Sequence, residues 1–432
     1  MLAVTLMVSV GSAVILPRLM GRADIDFDAV RALSGLELGD ALPALVLSDI
    51  PISDATDVPL STPTPEAAVP TEIPATAVPT ATPVPGGSFT LTIGGSVNIE
   101  DNIRKSAYYS DSGKYDFAEI MMLLRDEMRS DLTLVTLENL TDSGEKVSEL
   151  NAPEAVIDML SKAGVDIVAL GFPKACDKGM DGLQATIAAA RARGMTTLGA
   201  YADQTDADSL RMFTIDNVNV AFLHYTSSIS ATGKKAMNAD SATWALPLTQ
   251  TGNSTDKMLR DIRNARQSGA DVVIVSLNWG SQSAAKPTAA QQNLAQQIAD
   301  AGADVIVGAG SRVVQPVTWL TAKEADGSIR HTLCAWSLGS LINDSRKDGN
   351  VCAMLLQLQI AFDGDSISFE KVCYTPTYIW RYKQDGAYQY RIAVSDQTPP
   401  DGMSDEQAGY MDKALRNIRK YLDDSPVTLR ER

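Results

Sequence analysis

Histidine is almost absent from this chain, which has only His224 and His331 among its 432 residues. Most zinc and two-metal sites use several imidazoles, so two histidines leave little material for such a centre. Cysteine is also rare, with four residues and no C-x-x-C spacing, which argues against a zinc knuckle. Positive charge is in the minority, with 37 Lys+Arg against 53 Asp+Glu and a net charge of −16. We therefore expect no nucleic-acid partner, because nucleic-acid binding requires a basic face.

The four cysteines are Cys176, Cys334, Cys352 and Cys373. The last two flank a predicted hairpin centred near Gly364, which would make them near-diagonal neighbours on adjacent strands. A disulfide between Cys352 and Cys373 is one interpretation if the compartment is oxidising. Two separate buried thiols are the other, and the sequence does not decide between them.

The chain begins with an uncharged apolar run, Met1–Leu16, which is followed by Arg18 and Arg22. A run slightly shorter than the usual span of about 20 residues predicts a signal peptide or a membrane anchor over residues 1–23. No basic residue precedes the run, and the two arginines alone would place the rest of the chain inside the cell. A start codon further upstream would remove that conflict. A buried core helix is the alternative.

Proline is dense in the next region, with eight prolines in the 27 residues from Pro59 to Pro85. This density blocks helix and sheet and predicts an extended spacer that could reach roughly 80 Å. We therefore predict a disordered linker with a Pro/Thr-rich stalk over residues 24–87. Together with the apolar run, the stalk indicates a membrane-anchored protein on the extracellular face, or a secreted protein if the run is cleaved. An interdomain linker in a cytoplasmic protein is the alternative.

Strand and helix patterns alternate from residue 88 onward. Strands are predicted at 89–95, 132–139, 165–171, 218–226, 270–280 and 303–310. Helices are predicted at 116–128, 152–164, 180–194, 255–269 and 289–302. Apolar strands that alternate with helices indicate an α/β fold with helices covering the sheets. Residues 331–392 turn to hairpins, so we place the main domain at 88–392 and a C-terminal helical extension, with a helix near 404–422, at 393–432.

Functional sites in α/β folds lie on loops beyond the carboxyl ends of the strands. Six such loops lie at 95–101, 138–139, 171–179, 278–282, 308–315 and 337–340. The segments around them read TIGGSVNIED, VTLENL, GFPKACDKG, NWGSQS, GAGSRVVQP and WSLGSL. We expect the functional site to be built from these loops.

In order and spacing, these six segments resemble the motifs of the CapA family, which is named for a poly-γ-glutamate capsule protein. The resemblance covers roughly residues 89–379. It implies the calcineurin-like metallophosphoesterase fold, a four-layer αββα sandwich. It also implies a role in capsule biosynthesis and, for an intact family site, two divalent metal ions.

Most positions at which the resemblance implies metal ligands hold other residues here. Gly95 stands in the place of an aspartate, with Glu100 and Asp101 nearby but out of register. The positions of the family's histidines are occupied by Lys174, Asn278, Ala309, Gly310 and Arg312. Two carboxylates, Glu138 and Asp177, are retained.

We therefore predict no catalytic metal and no other cofactor, because protonated Lys and Arg side chains repel a cation. The candidate residues of the cleft are Glu138, Lys174, Asp177, Asn278, Gln282, Arg312 and Ser340. In one interpretation, Glu138 and Asp177 form salt bridges with Lys174 and Arg312 and fill the cleft. In the other, Lys174 and Arg312 bind a carboxylate, phosphate or sugar acid, with the amide side chains as neutral donors.

Three further side chains call for an assignment. His224 closes a predicted strand and could approach the mouth of the cleft, and His331 begins a hairpin strand. We expect both histidines to be structural, with His331 at the surface. Trp279 could form an apolar wall of the cleft, but core packing is the expectation we favour.

Three functions remain open. The first is a surface-tethered, catalytically degenerate CapA-like protein that binds an anionic cell-envelope polymer or acts as a scaffold for capsule machinery. The second is a working hydrolase or transferase that acts on polyglutamate or phosphoesters through relocated ligands such as Glu100 and Asp101. The third is a structural, partner-binding module whose cleft is closed by internal salt bridges.

Overall fold

The computed structural model describes residues 86–141, 147–148, 150–249, 254–324 and 327–429. The predicted signal or anchor over residues 1–23 and residues 24–85 of the predicted linker and stalk lie outside these residues, and Gly87, the last residue of that linker, already belongs to the first strand. Within them, no helix is both long enough and apolar enough to span a bilayer.

The strands of the described part are numbered in chain order. They are β1 (Gly87–Val97), β2 (Tyr108–Tyr109), β3 (Lys114–Tyr115), β4 (Leu132–Leu137), β5 (Ile167–Ala169), β6 (Thr196–Leu198), β7 (Arg211–Ile215), β8 (Val218–Thr226), β9 (Val272–Asn278), β10 (Val305–Ala309), β11 (Val317–Lys323), β12 (Ile329–Ala335), β13 (Ser340–Ile342), β14 (Cys352–Phe362), β15 (Ile367–Gln384), β16 (Ala387–Val394) and β17 (Thr428–Leu429).

The helices are numbered in the same way. They are α1 (Asp101–Ser106), α2 (Ala118–Met121), α3 (Ala155–Lys162), α4 (Gly179–Ala192), α5 (Gln204–Asp208), α6 (Ala231–Ala239), α7 (Ser254–Gln267), α8 (Ala289–Asp300) and α9 (Asp405–Tyr421).

Two large sheets form the centre of the fold. Sheet 1 has the order β16-β15-β14-β1-β4-β5-β6, with β13 paired to β1 and β17 paired to β15. Sheet 2 has the order β11-β12-β10-β9-β8-β7. In sheet 1 the strands β1, β4, β5 and β6 run parallel to one another. In sheet 2 the strands β8, β9, β10 and β12 do the same. Parallel strands place their carboxyl ends, and the loops that follow, along one edge.

Three separate hydrophobic clusters define four layers. One cluster joins the facing sides of the two sheets through residues such as Ile93 and Ile274. A second packs α3 and α4 on the outer side of sheet 1, through residues such as Leu160 and Leu183. A third packs α7 and α8 on the outer side of sheet 2. The predicted αββα sandwich is therefore confirmed.

The sequence signals for the elements agree with their structure. Helices α3 and α4 are each followed by one C-cap residue and then by a glycine, Gly164 or Gly194, with φ of +91° or +80°. Glycine adopts this left-handed conformation without a Cβ penalty and so ends helices. The predicted C-terminal helix is α9, which begins at a capping box formed by Ser404 and Gln407. It buries Met411 and other apolar side chains in the intersheet core.

One predicted helix is much shorter than expected. The spacing at 116–128 predicts a continuous helix, but the chain forms only α2 and a 3₁₀ turn at Met122–Leu124. The apolar residues Ile120 and Leu124 are buried as the spacing indicates. At the start of α2, Oδ1 of Asp116 accepts from the Ala118 N–H at 2.9 Å, and the chain then tightens into the 3₁₀ turn instead of continuing as an α-helix.

The disulfide interpretation for Cys352 and Cys373 is wrong. Strand pairing places Cys352 opposite Tyr378 and Cys373 opposite Gln357, and all four cysteines are free. The two cysteines are therefore five positions apart along the hairpin, or about 17 Å at the strand rise. A disulfide requires Cα atoms within about 7 Å. The turn and a register shift between Gln359 and Ile360 set this pairing, and counting from Gly364 did not capture it.

We expect all four thiols to be free in the purified protein. Protein denatured without reductant in iodoacetamide should gain four carbamidomethyl groups by intact mass. Native protein should react slowly, because burial raises the pKa of both the Cys176 and the Cys352 thiol to about 12. A denatured product that carries only two groups would show that a disulfide does form.

Candidate functional site

Five polar residues meet where the carboxyl ends of parallel strands from both sheets converge. Asn98 and Glu100 follow β1, Glu138 follows β4, Asn278 ends β9, and Arg312 lies in the loop after β10. We call these residues the Arg312 cluster. Their positions fit the expectation that the site lies on loops beyond the carboxyl strand ends.

The guanidinium of Arg312 is the centre of the cluster. Its Nη1 lies 3.1 Å from Oε1 of Glu100. Its Nη2 donates to Oδ1 of Asn98 at 2.9 Å and lies 3.6 Å from Oε2 of Glu138. One cation thus neutralises part of the charge of two carboxylates, and the three ionised side chains carry a formal net charge of −1.

Both carboxylates have a further N–H partner. Nδ2 of Asn278 donates to Oε1 of Glu138 at 3.0 Å, and the backbone N–H of Asp344 donates to Oε2 of Glu100 at 2.7 Å. The Glu138 side chain is 10% exposed, and those of Arg312 and Glu100 are 21% and 24% exposed. The cluster is therefore a partly buried, internally hydrogen-bonded network.

Backbone geometry holds Arg312 in place. The residue has φ of +61°, a left-handed conformation that costs a non-glycine residue about 1–2 kcal/mol. Nδ2 of Asn350 donates to the Arg312 carbonyl at 3.2 Å. Two residues earlier, a Cβ on Gly310 would lie 2.7 Å from the Trp279 carbonyl oxygen. The loop can therefore approach the Trp279 backbone this closely only with glycine at position 310.

The carboxyl end of β1 leaves no space for a side chain at Gly95. A Cβ at Gly95 would lie 2.3 Å from the Gly339 carbonyl oxygen, so no side chain fits at the position matched to the family's aspartate. The next residue, Ser96, faces the site instead. Its Oγ lies 3.0 Å from Oγ of Ser340 and accepts from Nδ2 of Asn98 at 3.4 Å. Ser340 thus joins the cluster through Ser96.

Three predicted site residues lie outside the cluster. Lys174 is exposed and forms no ion pair with any residue in the described part of the chain. Asp177 accepts a short hydrogen bond from Ser230, the N-cap of α6, so it does not pair with Lys174 or Arg312. Gln282 is also exposed. Of the predicted cleft-filling ion pairs, the one between Glu138 and Arg312 is present.

The sequence reading missed Asn98 and treated Glu100 as out of register. Glu100 enters the cluster because it precedes α1, where the chain turns back over the strand ends. Asp101 instead forms an ion pair with Arg104 at 2.8 Å on the same helix. A polar residue every second position after a buried strand, as in Ser96, Asn98 and Glu100, was the signal that could have found them.

The two histidines are not part of the cluster. His224 is 1% exposed, and its imidazole reaches across from sheet 2 to the Gly171 carbonyl oxygen, 2.8 Å from Nε2. Its Nδ1 lies 3.0 Å from Oγ of Ser276. The neutral tautomer with a proton on Nε2 satisfies both contacts, and burial lowers the pKa of His224 to about 4. His331 is exposed on β12.

Trp279 packs in the core, as we favoured. It is 2% exposed and stacks on Trp336 with ring centroids 5.7 Å apart. Its indole N–H donates to the Trp336 carbonyl oxygen at 3.1 Å. The ring therefore supports the loops behind the site and presents no face to a ligand.

The residues present do not fit a two-metal centre. Such a centre needs neutral imidazoles and carboxylates that converge on each ion at about 2.0–2.2 Å. Here a guanidinium lies between the two carboxylates, and the Asn278 amide points an N–H donor at Glu138. Among the described residues, no three His, Cys, Asp or Glu side chains come close enough together to hold a metal ion.

Removing the guanidinium should destabilise the fold. In Arg312→Gln, Glu100 and Glu138 lose their shared cation while remaining partly buried, so we expect a loss of about 1–2 kcal/mol in the free energy of unfolding. Urea denaturation measures this change. The matched control is Arg129→Gln, whose ion pair with Asp126 is 80% and 83% exposed, and it should cost less than about 0.5 kcal/mol. Equal losses in the two variants would contradict a structural role for the cluster.

Four layers with a polar cluster at the carboxyl strand ends place this chain in the class of calcineurin-like metallophosphoesterase folds. The model of the family described as bacterial capsule synthesis protein PGA_cap matches residues 90–345, more than half of the chain. The chain therefore belongs to this family, and the predicted CapA resemblance is confirmed.

The individual relatives have low sequence identity to this chain. The capsule biosynthesis protein CapA of Bacillus anthracis is 25% identical over 226 residues, which cover 52% of this chain and 51% of the relative. The PGA biosynthesis protein CapA of Bacillus subtilis (strain 168) is 22% identical over 211 residues, 49% of this chain and 51% of the relative. The matched part thus spans about half the length of these relatives. A crystal structure of a hypothetical protein from Thermus thermophilus gives a TM-score of 0.36 at 15% identity, covering 67% of this chain and 98% of that chain.

Proposed function

We propose that this protein serves capsule biosynthesis by binding and organising other components, without metal-dependent hydrolysis. The family match supports the link to capsule biosynthesis. The observation that carries the second part is the Arg312 guanidinium, which lies between Glu100 and Glu138 where an intact family site would hold metal ions. A fixed cation at this place opposes the entry of a divalent ion.

Relocated ligands do not offer a substitute. A site built from Glu138, Asp177, Glu100 and Asp101 would need these carboxylates to converge on one point. Asp177 is engaged with Ser230 and Asp101 with Arg104, while only Glu100 and Glu138 face the same space. The arrangement therefore supports a binding role more than a hydrolase or transferase.

The charge of the cluster favours a protein partner over an anionic polymer at this position. Arg312 is already shared by two carboxylates, so the cluster repels a polyanion instead of attracting it. Lys174, the other proposed anion contact, is exposed and lies outside the cluster. We therefore propose capsule machinery as the partner, with the cleft closed by its own ion pairs.

We also propose that the protein is tethered at the cell surface. The support is the uncharged run Met1–Leu16 and the eight prolines from Pro59 to Pro85. Protease treatment of intact cells should then cleave the protein, while the same treatment should spare a cytoplasmic marker. Recovery of the intact chain in the soluble cytoplasmic fraction would count against the tether.

The function is tested by two measurements in parallel. Deleting the gene in its host bacterium should lower surface capsular polymer, and the wild-type gene should restore it. Purified full-length protein with Mn²⁺ or Zn²⁺ should show no turnover of phosphodiester or γ-glutamyl substrates. Unchanged capsule after deletion would refute the capsule role, and metal-dependent turnover would refute the non-catalytic part.

A further inference from the structure

A second concave site lies on the flank of sheet 2, apart from the Arg312 cluster. It is a cavity of about 990 Å³, bounded by α5, α6, α7, part of β8 and the segment 243–248. No member of the Arg312 cluster lines it. Its size is at the upper end of the usual range for ligand pockets, about 300–1,000 Å³.

The floor of the cavity is apolar. Five of its large apolar side chains keep part of their surface in solvent: Leu210, Leu223, Ile229, Trp244 and Leu248. Each packs against a hydrophobic core on one side and faces the cavity on the other. A ligand that covered this floor would remove apolar surface from water, which is favourable.

The rim of the cavity is basic although the chain is acidic. Among the described residues, four cations line it (Arg211, Lys234, Lys257 and Arg260), against the two acids Asp208 and Asp261. The whole chain carries a net charge of −16, so this local excess runs against the overall balance. The rim therefore complements an anionic group.

Two of the four cations are available to a ligand. Lys257 pairs with Asp261 at 2.7 Å, and Arg211 pairs with Asp206. Lys234 and Arg260 take part in no ion pair or side-chain hydrogen bond with any residue that the structure describes. The acid nearest to Arg260 in the chain, Asp261, is occupied by Lys257 and by the hydroxyl of Tyr225.

We propose that this cavity binds an anionic amphiphile, with an alkyl chain on the apolar floor and a phosphate or carboxylate head group at Lys234 and Arg260. A sugar fits less well, because its hydroxyls would lose water on an apolar floor without gaining partners there. The site is independent of the Arg312 cluster, and its failure would leave the proposed capsule function untouched.

Isothermal titration of full-length protein with dodecyl phosphate, below its micellar concentration, tests the site. We expect saturable binding of one molecule per chain. The double variant Lys234→Gln/Arg260→Gln should bind at least about tenfold more weakly, because each charge-assisted contact is lost. The matched control is Lys235→Gln/Arg263→Gln, which removes two exposed cations from the same helices outside the cavity. It should bind like the wild type.

Three further ligands separate the contributions. Butyl phosphate should bind much more weakly than dodecyl phosphate if the apolar floor contributes, and dodecyl maltoside should bind more weakly if the rim selects charge. Dodecanoate compared with dodecyl phosphate shows whether the natural head group is a carboxylate or a phosphate. Absence of saturable binding, equal loss in both double variants, or equal affinity for the neutral or short ligand would overturn the proposal.

Discussion

Changing Asn278 and Arg312 together to histidine is expected to give this protein a bound divalent metal ion. Both side chains already contact Glu138, Asn278 at 3.0 Å and Arg312 at 3.6 Å. The double variant Asn278→His/Arg312→His removes the cation and points two imidazoles at two carboxylates. That set matches the ligand chemistry of zinc and manganese sites.

Thermal unfolding with and without Zn²⁺ measures the gain. At a free metal concentration about 100 times the dissociation constant, binding should stabilise the variant by about 2.7 kcal/mol. The matched control is Lys174→His/Gln282→His, which places the same number of histidines at motif positions outside the cluster. We expect no specific stabilisation of that control. Equal stabilisation of both variants, or of neither, would show that the Arg312 cluster is not the degenerate counterpart of a metal site.

Acid should destabilise this protein through His224. Burial lowers the pKa of His224 to about 4 in the folded protein, against 6.5 for an ordinary histidine. Between these values the unfolded chain binds a proton that the folded chain does not, so stability falls as pH decreases from 6.5 to about 4. The contribution lost by pH 4 is about 3 kcal/mol. Above pH 6.5 His224 is neutral in both the folded and the unfolded chain, so this loss of stability is absent there.

Urea unfolding at several pH values between about 4 and 7 tests this expectation. Between pH 7 and pH 4, the free energy of unfolding of His224→Gln should fall by about 3 kcal/mol less than that of the wild type. This holds even if the variant is less stable at every pH. The control is His331→Gln, which changes the exposed histidine and should retain the wild-type slope. Identical slopes in the wild type and His224→Gln would rule out a neutral, buried His224.

The close packing around His224 explains why the sequence could not place it. A Cβ on Gly171 would lie 2.5 Å from the imidazole, and a Cβ on Gly199 would lie 2.1 Å from it. Two glycines from sheet 1 thus make room for a side chain from sheet 2. Contacts between residues so distant in sequence depend on how the sheets pack, and periodicity along one strand does not report them.

The fold itself was largely predictable because its signals are local. Apolar strands such as β8 and β9 are bounded by polar turns, and α7, which precedes β9, is followed by Gly269 with a left-handed φ of +91°. Short edge strands were missed, including β7, whose exposed alternate residues weaken the apolar signal. The predicted 116–128 helix gives way to a 3₁₀ turn after Met121, which apolar spacing does not reveal.

The candidate site was predictable only in part. Motif order brought Glu138, Asn278 and Arg312 together, since each lies at or just after the end of a core strand. Ser96 and Asn98, which the motif comparison did not single out, enter the site at the end of β1. Asp177 does not join the cluster because it accepts a hydrogen bond from Ser230, the N-cap of α6. The sequence analysis did not predict this helix.

We propose that the Arg312 guanidinium lies where an intact family site would hold its metal ions. The most direct test is elemental mass spectrometry of tag-free wild-type protein after incubation with Mn²⁺ and Zn²⁺ and removal of free metal. We predict less than about 0.1 ion of either metal per chain. One or two retained ions per chain would contradict this proposal and would favour a metal-dependent hydrolase instead.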